Sequence, residues 1–193
     1  LPKVLFEKTV VNVATGEDPA TVATPGDTLR YTLRVENVGD VALDDFEIID
    51  DIDRLHETAF FAPGTLNLVT VPDGADVANM DASGGRHGTG LLDVRGLALG
   101  VAESTEIVFE IQLAPVIANG SLVMNQAQIN TDGLPLGDSD DPNVNGQADP
   151  DVLDDDDPTS LTIESAPAFD VDKISTYVDG DPNVLMAGET LRY

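Results

Sequence analysis

Apolar residues in this chain recur at every second position. Leu29, Tyr31, Leu33 and Val35 alternate with Arg30, Thr32, Arg34 and Glu36. Ile107, Phe109, Ile111 and Leu113 alternate in the same way with Val108, Glu110 and Gln112. A two-residue period places successive side chains on opposite faces of an extended strand, so each segment reads as a strand with one buried face. Further strands are expected over Lys3–Val10, Asp45–Ile52, Thr65–Val71, Leu91–Leu97, Leu122–Thr131 and Ser160–Glu164. Pro and Gly punctuate the gaps, as in Thr24-Pro25-Gly26-Asp27, Val38-Gly39-Asp40, Ala62-Pro63-Gly64 and Pro72-Asp73-Gly74. No long amphipathic helix stands out. Many half-buried strands at this spacing predict an all-β chain, an antiparallel immunoglobulin-like (Greek-key) β-sandwich.

The chain also begins a second time. Pro2–Lys8 (PKVLFEK) returns as Pro167–Lys173 (PAFDVDK), offset by 165, and Pro25–Tyr31 (PGDTLRY) returns as Ala187–Tyr193 (AGETLRY), offset by 162. The difference places a three-residue deletion in the intervening loop. A fixed period is the signature of a tandem array, and arrays are more often structural or adhesive than catalytic. Residues 1–165 are therefore expected to form one complete module, and 166–193 the first strands of the next repeat, joined by the short linker Ser165–Ala168. On this reading the chain is a piece of a longer protein. A module of about 160 residues is large enough for a core of its own.

Charge narrows the range of partners. The 36 acidic residues against 9 basic ones give a net charge of −27. Nucleic acid needs a basic footprint, and an anionic membrane surface repels such a chain. The absence of Cys excludes disulfides, Cys-based zinc sites and thiol catalysis. No apolar run reaches the roughly 20 residues that span a bilayer, so membrane insertion of this segment is not expected.

Extending the alternation exposes three misfits. Val4, Phe6, Lys8 and Val10 share one strand face; Phe46, Ile48, Asp50 and Ile52 share another; Val123, Asn125, Ala127 and Ile129 share a third. Each face is apolar except for one residue. Burying an unpaired charge costs several kcal/mol, so Lys8, Asp50 and Asn125 should find one another. Together they are the ingredients of an autocatalytic isopeptide bond. An apolar core lowers the Lys8 pKa and frees the amine to attack the Asn125 carboxamide. Asp50, kept protonated by the same core, would act as catalytic acid and shuttle a proton to the departing ammonia. Fixed geometry supplies the effective concentration for one slow turnover. The non-covalent alternative is a buried Lys8–Asp50 ion pair with Asn125 as hydrogen-bond partner. Only three Lys are present, and Lys173 occupies the repeat position of Lys8, which makes it the expected crosslink lysine of the next repeat.

These motifs together resemble the bacterial conserved-repeat sandwich called domain of unknown function 11, found in tandem in large surface proteins. The resemblance is carried by Lys8 in FEKTV, by Pro25–Asp40 (PGDTLRYTLRVENVGD), by Phe46–Ile52 (FEIIDDI) and by Asn125–Ile129 (NQAQI). It covers most of Val4–Ile129 and recurs at Phe169–Tyr193. It implies a stalk, cell-wall or filament role. Some related immunoglobulin-like surface modules carry Lys–Asn isopeptide bonds, which would map onto Lys8 and Asn125 with Asp50 as the acid. After Asp50 the family commonly has Leu-Pro, whereas this chain has Ile52-Asp53-Arg54, which leaves Asp50 and Asp51 both open as the acid.

Residues 132–157 differ in character, with ten Asp, five Gly or Asn and three Pro. The segment is expected to be a loop. Asp138, Asp140, Asp141, Asp149, Asp151, Asp154, Asp155 and Asp156 are candidate ligands for Ca2+, a hard cation that takes about six to eight oxygens. Their spacing matches no EF-hand, and a solvated acidic loop is the plainer alternative. His56 and His87 sit in apparent loops and are expected on the surface. Ser83–Gly88 reads as a flexible loop rather than a phosphate cradle, since no strand–loop–helix context surrounds it. No motif for an enzyme acting on an external substrate is evident. The expected function is a structural repeat of an extracellular, cell-surface fibre, stalk or filament, with neighbouring repeats or copies stacked end to end. The alternatives are an adhesin module that binds glycan or protein, and a non-catalytic accessory domain of a secreted enzyme.

Overall fold

The computed structural model describes residues 3–152, 155–166, 171–179, 181, 183–184 and 186–192. It is all-β. β1 (Val4–Asn12), β3 (Thr28–Asn37), β7 (Ser104–Gln112) and β5 (Asn67–Thr70) form one antiparallel sheet in the order β1-β3-β7-β5. A second sheet has the order β10-β9-β4-β6, from β4 (Leu43–Asp51), β6 (Leu91–Leu99), β9 (Gln128–Thr131) and β10 (Leu134–Asp138). A third, smaller sheet joins β2 (Val22–Ala23), β11 (Thr159–Ile163) and β8 (Leu122–Asn125). The chain passes between the two larger sheets from β3 to β4, β4 to β5, β5 to β6 and β6 to β7, the crossing connectivity of an immunoglobulin-like sandwich. Among the described strands the pairing is antiparallel except for β2 on β11; outside them, Glu7 and Asp140 form an isolated parallel bridge.

The alternation translates directly into burial. Leu29, Tyr31, Leu33 and Val35 of β3 pair across the ladder with Ile111, Phe109, Ile107 and Thr105 of β7, and the apolar members of both strands are buried. They join Phe46, Ile48, Leu92 and Val94 of the second sheet and Val123 and Leu161 of the third in one hydrophobic cluster. Burial of this kind supplies the main driving force for folding.

Two expectations about the second half of the chain need correction. Leu122–Thr131 is not one strand. It breaks at Gln126–Ala127, where the chain leaves β11 and joins β4. Gln126 Nε2 donates to the carbonyls of Ser139 and Asp156, both at 3.0 Å, and Ala127 N–H donates to Ser139 Oγ at 3.0 Å. These bonds replace the ladder at the break. Nor is 132–157 all loop. It opens with β10, which pairs with β9 and carries a register shift between Pro135 and Gly137.

The acidic segment then closes an edge. Asp140 N–H donates to Phe6 O at 2.9 Å, and Lys8 N–H donates to Asp140 O at 2.7 Å. The outer side of β1 is thereby covered rather than left open to pairing with another chain.

Near the end of the chain, β12 (Thr176–Tyr177) pairs with β13 (Leu191–Arg192). Thr176 faces Arg192 and Tyr177 faces Leu191. At the repeat offsets these are the counterparts of Val11–Arg30 and Asn12–Leu29, which face each other in β1 and β3. Val178 N–H donates to Thr190 O at 3.1 Å, as Val13 N–H does to Thr28 O at 2.9 Å. The start of the expected second module at Phe169, the linker residues 167–168, and Tyr193 lie outside the described residues.

Candidate functional site: a buried lysine, aspartate and asparagine

The three misfits of the sequence meet in the core. Lys8 lies in the middle of β1, Asp50 near the end of β4 and Asn125 at the end of β8. None is more than 2% exposed. Lys8 Nζ donates to Asp50 Oδ2, and Asn125 Nδ2 donates to the same oxygen at 3.3 Å. One carboxylate oxygen therefore links all three side chains and three different sheets. The other oxygen, Asp50 Oδ1, is buried without a hydrogen-bond partner.

Aromatic rings complete the enclosure. Lys8 Nζ stands 4.8 Å from the Tyr31 ring centroid and 5.7 Å from that of Phe109. Tyr31 stacks on Phe109 at 5.3 Å and meets the edge of Phe61 at 6.4 Å. Such faces favour a cation, but they cannot replace a hydration shell. Burial accordingly pushes the Lys8 amine down to about 8, against the charge and hydrogen bond of Asp50, with the charge of Arg54 adding a smaller downward push. At that value roughly a tenth of the amine is neutral at pH 7, against about one part in three thousand for an unperturbed lysine.

Asp51 is placed differently. It is half-buried, and its Oδ1 accepts Arg86 N–H at 2.9 Å. Gly85 allows this approach, because a Cβ there would collide with the Asp51 carboxylate. Of the two acids left open by the sequence, Asp50 is the one that faces Lys8.

Two neighbours escaped the sequence reading. Asp53 is fully buried in a left-handed backbone conformation (φ 66°) and accepts the N–H groups of Phe60 and Phe61 at 3.1–3.3 Å. Burial raises its pKa, and these hydrogen bonds pull the other way. An Asp tolerates that backbone better than most residues, and this was the available signal. His56, expected on the surface, is 7% exposed. Its ring packs edge-on to Phe60 at 4.6 Å, and Nε2 lies 2.9 Å from Met124 N. The same nitrogen lies 2.9 Å from Met124 O, so it hydrogen-bonds the backbone of the strand that carries Asn125. His87 is partly buried, with Nε2 2.9 Å from His56 O.

The acidic candidates are dispersed. Asp151 pairs with Lys3, and Asp138 lies 3.7 Å from Arg54. Asp141 holds the Asn143 turn, Asp149 accepts Asp151 N–H at 2.9 Å, and Asp155 accepts Asp149 N–H at 2.7 Å. Asp156 contributes its carbonyl to Gln126. Asp140 is fully buried; Oδ1 accepts Asp157 N–H at 2.9 Å and Oδ2 has no partner. Burial first, then the charges of Asp155, Asp157 and Asp156, push its pKa up to about 6. Asp154 lies outside the described residues. Among the described residues no three acidic or imidazole side chains converge at metal-binding distance.

No family model and no curated protein matches the chain. Among solved structures it is similar to a Pseudomonas fluorescens alkylpurine DNA glycosylase bound to DNA containing an abasic site analogue, at 10% identity and a TM-score of 0.35, over 84% of this chain and 31% of that one. It is also similar to a Vibrio harveyi exo-β-N-acetylglucosaminidase, at 10% identity and a TM-score of 0.31, over 91% of this chain and 20% of that one. The chain therefore spans less than a third of the length of either, and likeness this slight bears on no function.

Proposed function

We propose that this chain is a structural module of an extracellular surface fibre or stalk that crosslinks itself through an isopeptide bond between Lys8 and Asn125, with Asp50 as the acid. The observation that carries the reading is the convergence of all three buried side chains on Asp50 Oδ2 inside an aromatic enclosure. Transfer of one proton along the Lys8–Asp50 hydrogen bond gives a neutral amine and a neutral acid. Apolar surroundings favour that pair over the separated charges. The Lys8 lone pair then attacks Asn125 Cγ. A half-turn of the carboxamide exchanges Oδ1 and Nδ2, so that the Asp50 hydroxyl can donate to the carbonyl oxygen. The surplus proton of the new amine passes through Asp50 to Nδ2, the carbon–nitrogen bond breaks and ammonia leaves. Atoms balance: amine plus carboxamide gives a secondary amide and ammonia.

The load-bearing role follows from where the bond would lie. It would join β1 of the first sheet to the end of β8 in the third, so tension between the chain ends would bypass the chain between them. The hairpin β12–β13, with the register of β1–β3, supports the reading of a following repeat in which Lys173 takes the place of Lys8. Calcium enters the proposal only through Asp140, whose buried, unpartnered oxygen among acids is a place for positive charge; no step of the crosslinking depends on it.

Single-molecule stretching tests the mechanical claim. Pulled from its ends, the crosslinked chain keeps the segment between Lys8 and Asn125 folded or slack, and roughly 400 Å of contour length never appears. Release of the full chain length from the wild-type protein would contradict the role.

A further inference from the structure

The chain enters the module at one end and leaves it at the other. Val4 opens β1 opposite Asn37. Val38 N–H donates to Lys3 O at 2.9 Å, and Asn37 Nδ2 donates to Val41 O at 2.8 Å and to Leu99 O at 3.2 Å. The loops 38–42 and 100–103 are thereby gathered around the entry. At the far end Asn12 closes β1 opposite Leu29, Gln112 closes β7 opposite Thr28, and Ile163 closes β11 beside Ala23. Both ends carry apolar surface. At the exit a groove of about 610 Å³ lies between Pro25, the loop Pro115–Asn119 and the departing Ser165-Ala166. Ile117 is buried in it and Val116 is 87% exposed. Ser165 N–H donates to Asn119 Oδ1 at 2.8 Å, which ties the departing chain to the groove. Of the ten residues that line it only Glu164 is charged, in a chain with 36 acids against 9 bases. Two copies repel one another over most of their surface, and least here. At the entry Val38, Val41 and Val101 are 41%, 43% and 53% exposed. Apolar surface grouped in this way marks an interaction site.

We infer that the exit groove receives the Val38–Val41–Val101 end of a second copy of this module. The inference rests on the reading of the chain as one repeat of a fibre, and not on the crosslink. The repeat says which copy arrives and by which end. At the offset of 165, Ala168 takes the position of Lys3, to whose carbonyl the entry loop is bonded. Ala168 follows the groove residue Ala166 by two positions, a span of at most about 7 Å. The entry loops of a following copy are therefore delivered beside the groove. Tethering of this kind holds the effective concentration in roughly the millimolar range, where a contact too weak to pair free chains is still occupied. Contact between unlike ends does not close on itself, so it propagates as a filament of one polarity.

Cysteine pairing tests this, because the chain has no Cys and each variant then carries a single thiol. Full-length Val116→Cys and isotope-labelled Val41→Cys are mixed equally at about 1 mM, with about 0.5 M NaCl to screen the net charge and glutathione to let disulfides exchange. The label separates mixed from like dimers by intact mass. Random pairing makes mixed dimers as frequent as the two like dimers together. Docking of unlike ends should raise the mixed dimers roughly tenfold over that ratio. Ala118→Glu in the Val116→Cys chain puts a charge on the groove and should return the pairing to random. Val69→Cys, on the exposed face of β5, should pair at random with both. Random pairing of Val116→Cys with Val41→Cys, an excess of like dimers, or an enrichment that survives Ala118→Glu would overturn the inference. The same spectra read the ammonia loss. Random pairing with the loss present removes the docking surface and leaves the crosslinked module; unlike pairing without the loss leaves the surface and removes the crosslink.

Discussion

Asn125→Ala removes the electrophile and leaves Lys8 buried as a titrating amine, so the cost of that burial becomes measurable. The folded-state pKa of Lys8 is about 8, lowered from 10.5. The unfolded chain therefore binds more protons than the native one between those values, and stability must rise with pH across the interval. The penalty is fully present below pH 8. From the size of the shift it amounts to roughly 3 kcal/mol, relieved as pH climbs towards 10.5. Tyr31 opposes the trend at the top of the range, because its phenol stays protonated in the fold after the unfolded tyrosine ionises. The clean window is thus pH 8 to 10. Chemical denaturation at half-unit intervals should show Asn125→Ala gaining about 2 kcal/mol across it. The crosslinked wild type should gain nothing from this source, because an amide does not titrate. It should also be more stable, with the entropy of closing a loop of roughly a hundred residues in the unfolded chain contributing about 5 kcal/mol to a gap that narrows as pH rises. A flat profile for Asn125→Ala, or one parallel to that of wild type, would refute the reasoning about Lys8.

Asp140 gives the opposite sign. Its pKa is raised from 3.8 to about 6, so the native state binds the extra proton and stability falls as pH rises through that interval. Asp140→Asn keeps an acceptor for Asp157 N–H and should raise the melting temperature above pH 6 with little effect at pH 4, as followed by calorimetry. Calcium is separated from plain screening by adding a chelator: melting should fall, and recover with Ca2+ but not with NaCl of equal ionic strength; equal recovery would leave screening alone. A chain ending at Ser165 should fold with the melting temperature of the whole, since the core is built from residues before that point; failure to fold would move the module boundary.

The site was legible because a strand turns sequence parity into facing. Once Val4, Phe6 and Val10 are placed inside, Lys8 must be inside too, and the same holds for Asp50 between Ile48 and Ile52 and for Asn125 between Val123 and Ala127. Parity put Asp50 on the apolar face, and the departure from the family's pattern after it left Asp51 open; beyond the register shifts between Leu43 and Ile48 the ladder places Asp50 opposite Leu92, both fully buried. What escaped depends on contacts distant in sequence. The break at Gln126 exists because Ser139 and Asp156 come to it, and the closing of the β1 edge exists because Asp140 does. Leu134–Asp138, with a Pro, a Gly and an Asp, has little strand propensity and is ordered by β9. His56 and Asp53 lie in a turn whose composition reads as solvent-exposed, and they are buried because Phe60, Phe61 and Met124 fold over them.

The central claim is a covalent bond, and the mass of the denatured protein tests it most directly. Joining Lys8 to Asn125 releases one ammonia, so the wild-type chain should weigh about 17 Da less than its sequence. Asp50→Ala, which removes the acid and leaves both partners in place, should show the full sequence mass. A wild-type chain at its full sequence mass would contradict the account, and so would an Asp50→Ala chain that still shows the loss.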